Sequence, residues 1–78
     1  MDRNAIADRV VEVMKDSFDL DEIAYRDDLT AADVAGWDSL SNIRFMVAVE
    51  QEFGRRLSMG QWQGLKSLGD LVELLAQG

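Results

Sequence analysis

Seventy-eight residues make one small domain with a small core, of the size that needs good packing or a covalent staple to be stable. The chain has no cysteine and no histidine, which removes disulfides, thiolate chemistry and the commonest general base. A net charge of −7 disfavours nucleic acid as a partner, and no apolar run approaches the roughly 20 residues of a membrane span. The opening Met1-Asp2-Arg3-Asn4 lacks the basic-then-apolar layout of a secretory signal. A soluble cytoplasmic protein without membrane insertion is the simplest expectation.

From Asn4 to Phe18, the apolar residues Ile6, Val10, Val13, Met14 and Phe18 recur at steps of three and four. That spacing predicts an amphipathic helix, with Asn4 as its N-cap and Arg9, Glu12, Lys15 and Asp16 on the wet side. From Asp19 to Trp37 no clean period appears. A connection of nearly 20 residues is unusual in a compact domain. It is expected to be an ordered loop pinned by Ile23, Leu29 and Val34, with a single turn at Thr30–Asp33 closed by reciprocal capping. Residues 16–38 hold eight acids and one base, whereas the rest of the chain holds seven of each. Charge runs are usually solvated faces. The functional alternative is a field that steers basic partners toward the end of this segment.

The segment from Ser39 to Phe53 predicts a second helix. Asp38 and Ser39 stand at its N-cap, and Gly54 stands where a left-handed residue closes the last carbonyls. Arg55 and Arg56 lie near the negative end of its dipole. At about 100° per residue, Phe45, Met46, Val49 and Phe53 form a core-facing stripe, whereas Leu40, Ile43 and Val47 form a second one roughly 140° away. One helix on one core does not need both stripes. The second either packs under the preceding loop or is offered to something else.

Leu57–Leu65 carries Met59, Trp62 and Leu65 at steps of three, weakened by Gly60 and Gly64. One or two turns, 3₁₀-like, are expected there. Ser67-x-x-Asp70 has the layout of a capping box and opens a last helix with Leu68, Leu71, Val72 and Leu75 as its stripe. The terminal Gly78 is expected to fray. No segment reads as a strand. The fold class is all-α: a small four-helix bundle, three main helices and one short, with a long first loop.

Catalytic chemistry is hard to build from this inventory. Ser39 has no candidate histidine base and no Gly-x-Ser-x-Gly context. Asp19-x-Asp21 does not continue as a calcium loop, because Ile23 stands at position five and the glycine is missing. No catalytic residue, no metal site and no enzymatic activity are expected. What remains is Ser39 as a point of modification. A hydroxyl at a helix start is reachable from solvent, and the N–H groups of the first turn favour a phosphate beside it.

The run Asp38-Ser39-Leu40, preceded by Gly36-Trp37 and followed by Ile43, Phe45 and Val49-Glu50-x-Glu52-Phe53, resembles the acyl carrier protein family. Length and the spacing of the other apolar segments extend the resemblance to nearly the whole chain. It implies a single acyl carrier domain over 1–78, with a long loop between the first two helices. It also implies a 4'-phosphopantetheine arm, taken from coenzyme A and joined to Ser39 by a phosphodiester. The arm carries acyl or aminoacyl groups as thioesters, and the protein supplies binding and orientation.

Asp38, Leu40, Ile43, Val47, Met59 and Trp62 are then the residues expected to contact partners or cargo. Trp62 reads first as core, since aromatics at helical spacing usually are. The implied partners of a monomeric carrier are a phosphopantetheinyl transferase, an acyl- or aminoacyl-loading ligase, and downstream acyl-transfer or synthase enzymes. Carriers of fatty acid synthesis have acids just after the serine, where this chain has Ser41, Asn42 and Arg44. With Gly36-Trp37, it looks more like carriers of polyketide, aminoacyl or other specialised pathways. Two alternatives stay open. One is a peptidyl or D-alanyl-type carrier loaded by an adenylating enzyme. The other is an unmodified interaction module that uses Leu40, Ile43 and Val47 as a groove for a partner helix.

Overall fold

The computed structural model describes residues 2–77. Four α-helices follow one another: α1 (Arg3–Ser17), α2 (Ser39–Phe53), α3 (Met59–Gln63) and α4 (Leu68–Gln77), with one 3₁₀ turn at Ala31–Asp33. The all-α expectation holds, and no strand is present among the described residues. The fraying expected at Gly78 lies outside them.

The first helix starts earlier than its spacing suggests. Asp2 is the N-cap, with its carboxylate accepting from the Ala5 N–H at 2.8 Å, and Asn4 is already inside the helix. Asn and Asp cap about equally well, so the choice between neighbours falls to where the chain turns. Ile6, Val10, Val13 and Met14 are buried as the spacing requires.

The long connection is ordered, with Leu29 and Val34 buried and Ile23 partly so. Its single turn closes as expected, the Asp33 carboxylate accepting from the Thr30 N–H at 3.1 Å. The connection also has a second task. The first N–H groups of a helix lack intrahelical partners. In α4 they find them in the loop: Leu68 N–H donates to the Leu29 carbonyl at 2.9 Å, and Gly69 N–H to the Asp27 carbonyl at 2.8 Å. The Asp70 carboxylate accepts from Lys66 N–H at 2.9 Å, one residue before the Ser67 that the box pattern favours. With loop carbonyls covering the helix end, the carboxylate is left to hold the residue just ahead.

At the far end of α2, Gly54 takes the left-handed conformation (φ 62°). Arg55 follows the end of α2 and also reaches α4. Its guanidinium donates to the carbonyls of Leu74 and Leu75 at 3.1 and 3.3 Å and so ties down the last turn of α4. Glu50 holds the following turn by accepting from Leu57 N–H at 2.8 Å. The short segment is α-helical rather than 3₁₀, because Ser58 and Gln61 cap it reciprocally, at 3.0 and 3.1 Å.

The loop approaches α4 so closely that a Cβ on Gly69 would sit 2.9 Å from the Asp27 carbonyl oxygen. Intrinsic helix propensity favours alanine over glycine by about 1 kcal/mol. Here the clash with backbone outweighs it, so Gly69→Ala is expected to destabilise the fold by about 1–3 kcal/mol. Urea unfolding measures this. A variant more stable than the parent would show that the loop is not packed this way.

Candidate functional site

The start of α2 is built from four residues with separate tasks. Gly36 turns the chain at φ 84°, and Asp38 is the N-cap. The Asp38 carboxylate accepts from the Ser41 N–H at 2.9 Å and from the Ser41 hydroxyl at 2.7 Å. The Ser41 oxygen in turn accepts from the Asp38 N–H at 3.2 Å and also lies within bonding distance of the Gly36 carbonyl. These bonds use up the Ser41 hydroxyl and bury the residue, which is 8% exposed. Ser39, two positions earlier, is exposed. Of the two neighbouring hydroxyls, one is built into the cap and the other faces solvent. The signal for this was legible in the Asp38-x-x-Ser41 spacing, which has the layout of a capping box.

Two consequences are electrostatic. The Ser41 N–H, then its hydroxyl, hold the Asp38 carboxyl below its ordinary value of 3.8. One of the donors that the sequence offered to a phosphate is also engaged, Ser41 N–H by the Asp38 side chain at 2.9 Å. The helix end therefore offers a phosphate at Ser39 less than its dipole alone suggests, and the charge of Asp38 lies beside it.

One turn inward stands Asn42, a polar residue on the inner side of an apolar helix. Its side-chain oxygen accepts from two indoles, Trp37 Nε1 at 2.9 Å and Trp62 Nε1 at 3.1 Å. The same indoles belong to an aromatic chain running through the core. Phe18, Trp37, Phe45 and Trp62 meet at centroid distances of 5.1–5.5 Å. Asn42 and the two tryptophans, with Phe45, Leu68 and Leu71, line a half-open cleft of about 200 Å³. Sequence reasoning did not assign Asn42 this task. A polar residue amid the core stripe was the available signal.

The remaining residues singled out on sequence separate into two groups. Leu40 is 73% exposed, and Ile43, Val47 and Met59 are exposed as well. The second stripe of α2 is thus not covered by the loop. Trp62 does not join this face, being 5% exposed and part of the core.

A family model described as the phosphopantetheine attachment site matches residues 4–75. The chain belongs to the acyl carrier protein family. It is similar to a curated relative named acyl carrier protein from Saccharopolyspora erythraea, at 27% identity over 74 residues that cover 95% of this chain and 78% of the relative. No solved structure matches it. The cofactor of the family is a covalent 4'-phosphopantetheine, whose terminal thiol supplies the reactive atom. The residues of this carrier fit such a group, since attachment needs a hydroxyl open to a transferase and one is present at the head of α2.

The Asp38 cap makes stability depend on pH with a definite sign. A carboxyl held below its unfolded value contributes stability above that value and loses it as pH falls through the folded one. Asp38→Asn is therefore expected to be less stable than the parent at pH 7. The gap should close as pH drops below about 3.8. Thermal unfolding across pH 2.5–7 checks this (a buffer range of roughly the span over which carboxylates titrate). A gap independent of pH would contradict it. Asn42→Leu leaves two indole donors without their acceptor and is expected to destabilise the carrier by about 1–3 kcal/mol. Tryptophan-detected urea unfolding reads that loss, and an unchanged midpoint would mean the bridge contributes nothing.

Proposed function

We propose that this chain carries acyl groups as thioesters on a 4'-phosphopantetheine arm attached to Ser39 and delivers them to partner enzymes. The observation that supports the reading is the exposed Ser39 hydroxyl at the first residue of α2, in a chain matched by the family model over 4–75, with Ser41 engaged in the cap. In the attachment step Ser39 Oγ gives up its proton and attacks the phosphorus of coenzyme A that bears the pantetheine. Adenosine 3',5'-bisphosphate leaves. The carrier itself catalyses nothing, works as one domain over 1–78 and as a monomer in the cytoplasm, and depends on a phosphopantetheinyl transferase and an acyl-loading enzyme.

Leu40, Ile43, Val47 and Met59 are the face for those partners, with Asp38 at its edge. From Ser39 to Val49 the only charged side chain is Arg44. Enzymes that grip an acidic second helix with a basic patch find no complement there. This favours a polyketide or other specialised pathway over fatty acid synthesis. A second reading, an aminoacyl or D-alanyl carrier loaded by an adenylating enzyme, shares the same attachment point. The acyl reading is preferred because the curated relative is named an acyl carrier protein.

The test is incubation of the apo protein with coenzyme A and a promiscuous transferase, followed by intact mass. The parent is expected to gain one arm, Ser41→Ala to gain one arm, and Ser39→Ala to gain none. A Ser39→Ala variant that still gains an arm would refute the site, and a parent that gains none would favour an unmodified interaction module.

A further inference from the structure

An arm on Ser39 meets two surfaces of α2. Residues three and four positions on lie beside it on the helix surface. Ile43, at four, opens onto the exposed apolar stripe. Asn42, at three, faces the interior, where the bonds it accepts from Trp37 and Trp62 form one wall of the half-open cleft. The cleft measures about 200 Å³, smaller than the roughly 300 Å³ at which small-molecule pockets begin. An engineered cavity of about 150 Å³ holds one benzene ring, so this one has room for about six carbons. Past that depth lies the aromatic chain of Phe18, Trp37, Phe45 and Trp62, packed at centroid distances of 5.1–5.5 Å. Phe45 is fully buried and Trp62 is 5% exposed. A longer chain must part the two indoles, and doing so strips both of their acceptor.

We propose that Asn42, by fastening Trp37 to Trp62, is a specificity-determining residue that closes the interior of this carrier to long saturated acyl chains and leaves it suited to short or oxygen-rich acyl groups. This rests on the carrier reading above. A short acyl group gains little from burial, and an oxygenated one loses its water on entering an apolar core. Neither needs the interior. A long saturated chain does need it, because in solvent it stays exposed.

The test loads the parent protein with butanoyl, octanoyl and dodecanoyl groups from the corresponding acyl coenzyme A thioesters, with intact mass confirming each product. Melting temperature and the two indole N–H resonances are then recorded. The expected result is a melting temperature that varies by no more than about 2 °C across the series, with both indole resonances fixed. In Asn42→Ala, and in Trp37→Phe, which removes one donor and keeps the aromatic packing, the Trp62 resonance is expected to move progressively with chain length. A parent whose melting temperature climbs with chain length while its indole resonances shift would overturn the proposal. So would variants that respond no differently from a parent that does not respond. Failure of any group to attach would show in the mass before these readings and would defeat the carrier reading itself, and this inference with it.

Discussion

The reciprocal cap between Asp38 and Ser41 is the constraint on which the site depends. It fixes where α2 begins, and so puts Ser39 at the first helical residue with its side chain in solvent. It also engages and buries the Ser41 hydroxyl two positions on. A serine whose oxygen accepts from one backbone amide and donates to a carboxylate has its donor and one acceptor site occupied. The distinction between two serines two positions apart is thus made by hydrogen bonding. It needs no catalytic apparatus, which suits a chain without histidine or cysteine.

The rest of the fold holds that start in place. The long connection inserts Leu29 and Val34 into the core and uses its own carbonyls to satisfy the head of α4. Arg55 satisfies the tail of the same helix. Both ends of α4 are therefore tied to other parts of the chain, and α4 can back the core against which α2 packs. Inside, Asn42 joins the two tryptophans. A side-chain oxygen that accepts two indole donors turns polar groups that would be costly to bury into a fixed contact. The outer stripe of α2 has no such ties, and its Leu40, Ile43 and Val47 are exposed.

Much of this was legible in the sequence because local rules decide it. The three- and four-residue spacing of Ile6, Val10, Val13 and Met14 has few readings other than a buried helix face, and the limits of α2 follow from Asp38 and Gly54. The doubled apolar stripe of α2 was visible, and so was the solvent-facing hydroxyl at its head. What escaped the sequence depended on distant partners. Asn4 and Asp2 are equally good caps, and only the path of the chain chooses between them. Arg55 stands next to the end of α2 but reaches α4, because an arginine side chain is long enough for a neighbouring helix to compete. Trp62 could line cargo or core until Asn42 and Phe45 were placed around it. The capping box at Ser58–Gln61 was legible, but the glycines around it pointed the other way.

Two hydroxyls stand near the head of α2, and attachment at Ser39 turns on which of them takes the arm. Tandem mass spectrometry of the peptide spanning Gly36 to Arg44, cut from parent protein modified by a transferase, locates it. The prediction is a single arm on Ser39 with Ser41 bare. An arm found on Ser41, or divided between the two, would mean that the cap at the head of α2 does not hold Ser41 as described.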